Sequence, residues 1–318
     1  MNSRQLTNRM LRTLALLATF LVAACGNYSN DDLDFQLALP EQTDMEAKMQ
    51  LSVTRVDSAE YYSATRSAIT TFNGMVRDLV GLIELVRGTT PTSRNGAERI
   101  WGPFPSDKYP AWQFRVVMQR STVSPTLLHM DYFVQLRQLG QDDSAWVPFL
   151  TGKYTSGGSA RMGQGEIHLL TAEPRAAGYP INDDPGLVNL DHLDVTYDNT
   201  AFPITVTMDI VNLPSATTQS GHYQYFQNQD GSGQMIFDWQ GLSDTGTQVA
   251  ARMQSEWIGS GAGRADLTID ATPSLPNQST TLGTDCWGVD TVATYSYRLR
   301  DEVTGQKRDQ GSSDSCLF

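Results

Sequence analysis

Two hydrophobic periods divide this chain. Between about Ser58 and Arg87 apolar residues recur at helical spacing, densest from Ile69 through Phe72, Met75, Val76, Leu79, Val80, Leu82, Ile83, Leu85 and Val86. The pattern predicts one long helix. Asp57 or Ser58 is placed to accept its first amides and Glu60 suits its first turn. Gly88, followed by Thr89, Thr90 and Pro91, supplies the stop. The second half is apolar on most sides, so burial nearly all round is expected. Gly74, Gly81 and Gly88 recur every seven residues and share a face. Glycine costs a helix stability, and the expected return is close approach to a flat surface such as a sheet.

From about Trp101 the period becomes two. Trp112, Phe114, Val116 and Met118 alternate with Gln113, Arg115 and Gln119. Leu128, Met130, Tyr132, Val134 and Leu136 alternate with His129, Asp131, Gln135 and Arg137. Ile204 to Ile210, Tyr223 to Trp239 around the turn Gln229–Gly233, and Val292 to Leu299 repeat the pattern. Alternation means one wet and one dry face, hence antiparallel strands joined by hairpins. No strand–helix–strand rhythm follows the early helix. The fold expected is α+β and mainly antiparallel β: a large curved sheet or half-barrel with one long N-terminal helix packed on or in it. Two stretches resemble each other, Lys153–Gly158 leading into Gly163-Gln164-Gly165 and Glu256–Ser260 leading into Gly261-Ala262-Gly263. No helix follows either one, so both read as hairpin turns rather than phosphate loops.

The start of the chain belongs to neither period. Arg4, Arg9 and Arg12 precede an uncharged apolar run, Leu14 to Ala24, that is shorter than the roughly 20 residues a spanning helix needs. Such a start describes an export signal. Its end, Val22-Ala23-Ala24-Cys25-Gly26, resembles the lipobox of bacterial lipoproteins, although that family more often has Leu where Val22 stands. The resemblance covers residues 1–26 only. It implies cleavage of residues 1–24, lipid (palmitate among the acyl chains) on Cys25, and attachment to a membrane through that lipid. Gly26, where inner-membrane lipoproteins usually carry Asp, implies the outer membrane of the cell envelope. Residues 25–50 then read as a lipidated cysteine and acidic tether, with Asp31, Asp32 and Asp34 and little to bury. Residues 51–318 read as a single mainly-β domain.

Charge narrows the partners. The net charge is −12; loss of the three leader arginines leaves 20 basic against 35 acidic residues, near −15. That surface disfavours nucleic acid. With Cys25 acylated, Cys286 and Cys316 remain, and in an oxidising compartment a disulfide between them is the expected state. Closing that loop should stabilise the fold by about 3–4 kcal/mol.

Candidate chemistry is sparse. His129, His168, His192 and His222 lack a His or Cys partner at ligand spacing. No Gly-x-Ser-x-Gly elbow, His-Glu-x-x-His or phosphate loop occurs. The acidic stretch Asn182 to Asp198 could offer oxygens to calcium, yet its spacing matches no EF-hand. The six tryptophans could line a sugar or lipid cleft, but they stand singly at strand-like positions, which suits core or sheet-face packing better. No catalytic, cofactor-binding or metal-binding residue is therefore assigned, and no enzyme or cofactor is expected. The pattern of helix plus curved sheet is loosely similar to lipoprotein carriers of the LolA/LppX kind, which implies an apolar ligand. The expected function is a non-enzymatic envelope lipoprotein binding an apolar ligand or a protein partner. A structural or surface-display lipoprotein, and a hydrolase whose site is invisible in sequence, are the alternatives.

Overall fold

A computed structural model describes residues 30–49, 58–124, 127–159, 162–242, 248–270, 280–300 and 304–316. The leader, Cys25 and Asp57 lie outside the described residues.

Four α-helices occur among the described residues: α1 Asn30–Leu37, α2 Gln42–Met45, α3 Glu60–Glu84 and α4 Ala172–Ala176. A 3₁₀ turn, Leu85–Gly88, finishes α3. The strands are β1 Ser93–Asn95, β2 Glu98–Pro105, β3 Trp112–Ser124, β4 Leu127–Gln138, β5 Val147–Ser159, β6 Met162–Leu170, β7 Leu190–Asp198 and β8 Ile204–Asn212. They continue with β9 Thr218–Gln227, β10 Gly233–Leu242, β11 Gln248–Trp257, β12 Gly263–Asp270, β13 Thr280–Trp287, β14 Ala293–Arg298 and β15 Arg308–Gly311. The strands follow one another through the sheet in chain order. The fold is thus α+β with antiparallel sheet predominating, as the period of two predicts.

The chain forms two compact units. One combines Gly74–Ala201 with Val211–Leu213 and the segment ending at Met45; the other combines Glu46–Asn73, Phe202–Ile210 and Pro214–Phe318. The first half of α3 belongs to the second unit and its C-terminal part to the first.

In the first unit β1 to β7 form a meander. Its dry face is made by Val116, Met118, Met130, Tyr132, Leu150, Tyr154, Ile167, Val195 and Tyr197, all buried. The segment that composition marks as a solvated tether is folded from Asn30 onward. Phe35, Leu39 and Met45 are buried, and Asp32 is fully buried. The acidic residues find cations far away in sequence: Arg94 and Arg99 hold Asp32, and Arg120 reaches Asp31.

In the second unit β9 to β15 form the meander. Tyr223, Tyr225, Met235, Ala251, Met253, Ser255 and Ala265 face inward and are buried. Helix α3 crosses that face. A first-turn amide, at Tyr61, donates to the Asp285 carboxylate of β13 at 2.9 Å, so the sheet supplies a cap for the helix. Thr65 donates to the Tyr61 carbonyl and meets the Ser255 hydroxyl at 2.6 Å. Phe72 packs on Tyr223, ring centroids 5.9 Å apart.

The helix glycines depart from expectation. A methyl group built on Gly81 or Gly88 would meet open space, and one on Gly74 only the tip of Arg77. They make no close approach to a flat surface. The close approaches are in the sheet instead. A methyl on Gly165 would stand 2.3 Å from the Tyr197 ring, and one on Gly263 would stand 2.3 Å from the Glu256 carbonyl and 2.7 Å from the Trp287 ring. Both stretches with the Gly-x-Gly pattern are therefore hairpin strands on which an aromatic ring of the next strand lies flat against a bare backbone. The pairs β5–β6 and β11–β12 are antiparallel neighbours.

Candidate functional site

The inner face of the second unit is not apolar and buried throughout. Successive cross-strand rows run Asp285–Ala265–Ser255–Met235–Tyr225, then Gly283–Leu267–Met253–Phe237–Tyr223, then Ile269–Ala251–Trp239–Gly221. Helix α3 meets the first of these rows through Tyr61 and Thr65 and the second through Phe72. Further along the strands Phe237, Trp239, Leu267 and Ile269 are half-buried. The alternation that puts Tyr223 inside puts these residues on the same face, because side chains two apart share a face. Burial pushes the Tyr223 hydroxyl up to about 12.

Rings stack along this face from the covered end to the open one. Tyr223 and Phe237 lie 4.3 Å apart and 22° from parallel, and Phe237 and Trp239 lie 5.5 Å apart and 25° from parallel. Opposite Trp239 stands Gly221. A methyl placed there would find its nearest neighbours, Ile210 Cδ1 and a Phe237 ring carbon, at 3.8 Å. Gly221 thus leaves bare backbone with room for a methyl in ordinary contact with Ile210, Phe237 and the Asp238 carbonyl, and Trp239 stands opposite it.

The outer face of the same unit differs in chemistry. Gln254, Glu256, Arg264 and Asp266 line an open groove of about 230 Å³. Their groups bind one another: Arg264 grips Asp266 at 2.8 and 3.0 Å, and Gln254 donates to Glu256 at 3.0 Å. Asp266 also accepts from Thr284. The first two link residues two apart on one strand and the third crosses from β12 to β13, as on a wet sheet face.

All four histidines adjoin an aspartate. His168 Nδ1 meets Asp194 at 2.7 Å, His192 Nδ1 meets Asp191 at 2.8 Å, His222 Nδ1 meets Asp209 at 2.6 Å, and His129 Nε2 lies 3.4 Å from Asp131. His168 Nε2 also faces Glu166 at 3.5 Å, and Glu166 binds Lys153 at 2.7 Å. That lysine hydrogen bond holds the Glu166 carboxyl below its ordinary value. Among the described residues, no group of three or more His, Cys, Asp or Glu is arranged to hold a metal ion. Oxygens of the acidic stretch from Asn182 onward are engaged by side chains and amides of the protein. Asp184 binds Lys108 and the Gly186 amide, and Asp198 binds Thr200.

Cys286 and Cys316 stand at disulfide distance, with sulfurs 1.95 Å and Cα atoms 5.4 Å apart. Four of the six tryptophans, Trp101, Trp112, Trp257 and Trp287, are buried; Trp146 and Trp239 are half-buried. Sequence reasoning placed Trp239 on a strand but did not single it out. The signal that would have done so is the pairing of a tryptophan with a glycine on the neighbouring strand, which requires the register. No known protein family, characterised protein or solved structure matches this chain.

Proposed function

We propose that the protein is a non-enzymatic lipoprotein of the cell envelope, anchored through Cys25, whose second unit binds an aliphatic chain on its inner sheet face. The observation that carries the reading is the set of half-buried apolar residues on that face, Ile210, Phe237 and Trp239 beside Gly221 and Leu267 and Ile269 two strands further on. A soluble surface normally scatters its large apolar groups singly, and contiguous ones mark binding surfaces. The stacked rings are flat and the backbone at Gly221 is bare, a shape that suits an unbranched chain. Each methylene removed from water there contributes about 0.8 kcal/mol. The carrier-like arrangement of a helix over a wide sheet, and the envelope placement implied by the lipobox, agree with a lipid-like ligand.

Quenching by a dibrominated stearate tests this directly. The mature protein should show saturable loss of tryptophan emission, and Trp239→Phe should remove most of that loss. Gly221→Leu covers the bare backbone and should abolish binding while the circular dichroism spectrum is kept. Quenching that does not saturate, or that survives both substitutions, refutes the site. A protein segment as the natural occupant would appear as no fatty-acid binding at all, and it would equally refute this reading. The anchor is tested apart from the ligand: Cys25→Ser should leave the protein unacylated and released from membranes, and unchanged processing and membrane association would overturn it.

A further inference from the structure

A different cluster, in the first unit, carries an inference independent of the aliphatic site. Arg115 of β3 pairs across the sheet with Gln135, and Arg137 of β4 pairs with Gln113. The two arginines therefore stand on one face in adjacent rows. The turn Asp143–Ala145 between β4 and β5 delivers Trp146 to the same place. The guanidinium carbons of Arg115 and Arg137 lie 4.4 and 4.3 Å from the centre of the Trp146 ring system.

The two cations are not equivalent. Arg137 has its donors engaged: one terminal nitrogen binds Asp143 at 2.6 Å, and Nε and the other bind the Gln113 amide, oriented to accept, at 3.1 and 2.9 Å. Arg115 donates only from Nε, to Gln135 at 2.7 Å. Among the described residues its two terminal nitrogens donate to nothing, and no carboxylate lies within ion-pair distance of it. Burial lowers the Arg115 value from that of a free guanidinium, Asp143 and Glu98 oppose that, and Arg137 adds to it. An arginine held half-buried on a tryptophan, in a protein of net charge −12, would be expected to take one of the many carboxylates available. This one presents an open fork.

We propose that Arg115, held by Trp146 and Gln135, is a binding site for a single carboxylate group of a ligand. The two terminal N–H groups form a planar fork that matches the two oxygens of a carboxylate. One free guanidinium suits one negative charge. A phosphate dianion would want more donors than the fork has, and with its greater charge it would be repelled more than a carboxylate by Asp143, which Arg137 and the Trp146 indole N–H hold close by at 2.6 and 3.3 Å. Trp146 fixes the guanidinium in place, so little side-chain freedom is lost when the acid docks.

Acetate and phosphate are the probes, titrated at constant ionic strength into the intact protein. The Trp146 indole N–H and the Gln135 side-chain amide are followed by NMR. Acetate should give a saturable shift at both, phosphate a weaker one or none. Arg115→Gln and Arg115→Lys should each weaken acetate by at least about tenfold, with the fold retained. A shift that does not saturate, that is unchanged in Arg115→Gln, or that is larger with phosphate refutes the proposal. Should either variant unfold, a crystal of the unaltered protein soaked in acetate decides. A carboxylate on both terminal nitrogens of Arg115 supports the site, and a fork bound only to water under saturating acetate overturns it.

Discussion

Among the described residues each unit buries one aspartate against arginine, and the two burials solve the same problem from opposite sides. In the first unit the aspartate belongs to the helix. Asp32, in the first turn of α1, is fully buried and accepts from Arg94 at 3.0 Å and from Arg99 at 2.8 Å. Arg99 and Arg120 lie over the Phe35 ring at 4.8 and 5.1 Å. In the second unit the aspartate belongs to the sheet. Asp285 accepts from the Tyr61 amide at the start of α3, from Ser296 at 2.8 Å and from both terminal nitrogens of Arg298 at 2.9 and 3.0 Å. Arg298 also reaches Glu60 at 2.8 Å and lies 3.9 Å over the Tyr61 ring. Burial works to lower the Arg298 value, yet its bonds to Asp285 and Glu60 hold it above the ordinary guanidinium, and burial pushes the Tyr61 hydroxyl up to about 12. Both devices seat a helix start on strands by a charge that water cannot reach. They differ in load. Asp32 answers two guanidiniums, whereas Asp285 answers one guanidinium, a hydroxyl and a helix amide.

That difference ranks the substitutions. Asp285→Ala takes from Arg298 its buried carboxylate, leaving it Glu60 and the Thr284 and Tyr297 carbonyls, and removes the acceptor of the Tyr61 amide; it should cost about 3–5 kcal/mol in urea unfolding. Asp32→Ala should fall in the same range but below it, because Arg94 is partly exposed, whereas Asp285 also holds the Tyr61 amide of α3. A larger loss for Asp32→Ala would reverse the comparison. Replacing Asp285 and Arg298 together by Leu and Met should recover most of the loss, since an apolar pair leaves no uncompensated charge.

The disulfide comes next. Cys286→Ser with Cys316→Ser opens a link across a separation of 30 residues, worth about 3–4 kcal/mol by chain entropy. Hydrogen exchange should rise in β14 and β15 and stay unchanged in β3 to β6. Loss of protection in the first unit would show that the units do not unfold separately.

Glycine replacement probes the flat aromatic contacts. Gly263→Ala and Gly165→Ala should each cost about 1–3 kcal/mol by overpacking. Gly263 should be the worse site, because its methyl meets a backbone carbonyl, while the one on Gly165 meets the tip of the Tyr197 side chain. Equal shifts in thermal midpoint would contradict this.

Acid supplies the smallest effect. Hydrogen bonding to Lys153 depresses the Glu166 value, so its contribution is present above the unfolded glutamate value, about 4.3, and is lost as pH falls through the lower folded value. The pair is partly exposed, and the loss should stay below about 1 kcal/mol. Stability of Lys153→Met measured at pH 6 and pH 3 should lack that part of the slope. An unchanged slope would remove the pair from the account.

The alternation of Trp112 to Gln119, of Leu128 to Arg137 and of Tyr223 to Trp239 was legible as strands because one face of each is dry. The long helix was legible for the same reason. Strand β14 shows where that logic stops: its buried residues are Ser296 and Arg298, while Tyr295 and Tyr297 are half-exposed. The period is right, but the inward face is polar because Asp285 needs partners there. The acidic segment from Asn30 misled for a related reason, since the arginines that draw it in stand more than 60 residues away.

What the residues settle alone is local: where the period is two, where it is 3.6, and where glycine ends the helix. Backbone geometry and burial act over a few neighbouring positions, so they can be read in order along the chain. Which carboxylate meets which guanidinium, which ring lies on which glycine, and which tryptophan and which arginine are left open depend on strand register. Register is a property of paired strands, and only the folded sheet decides it.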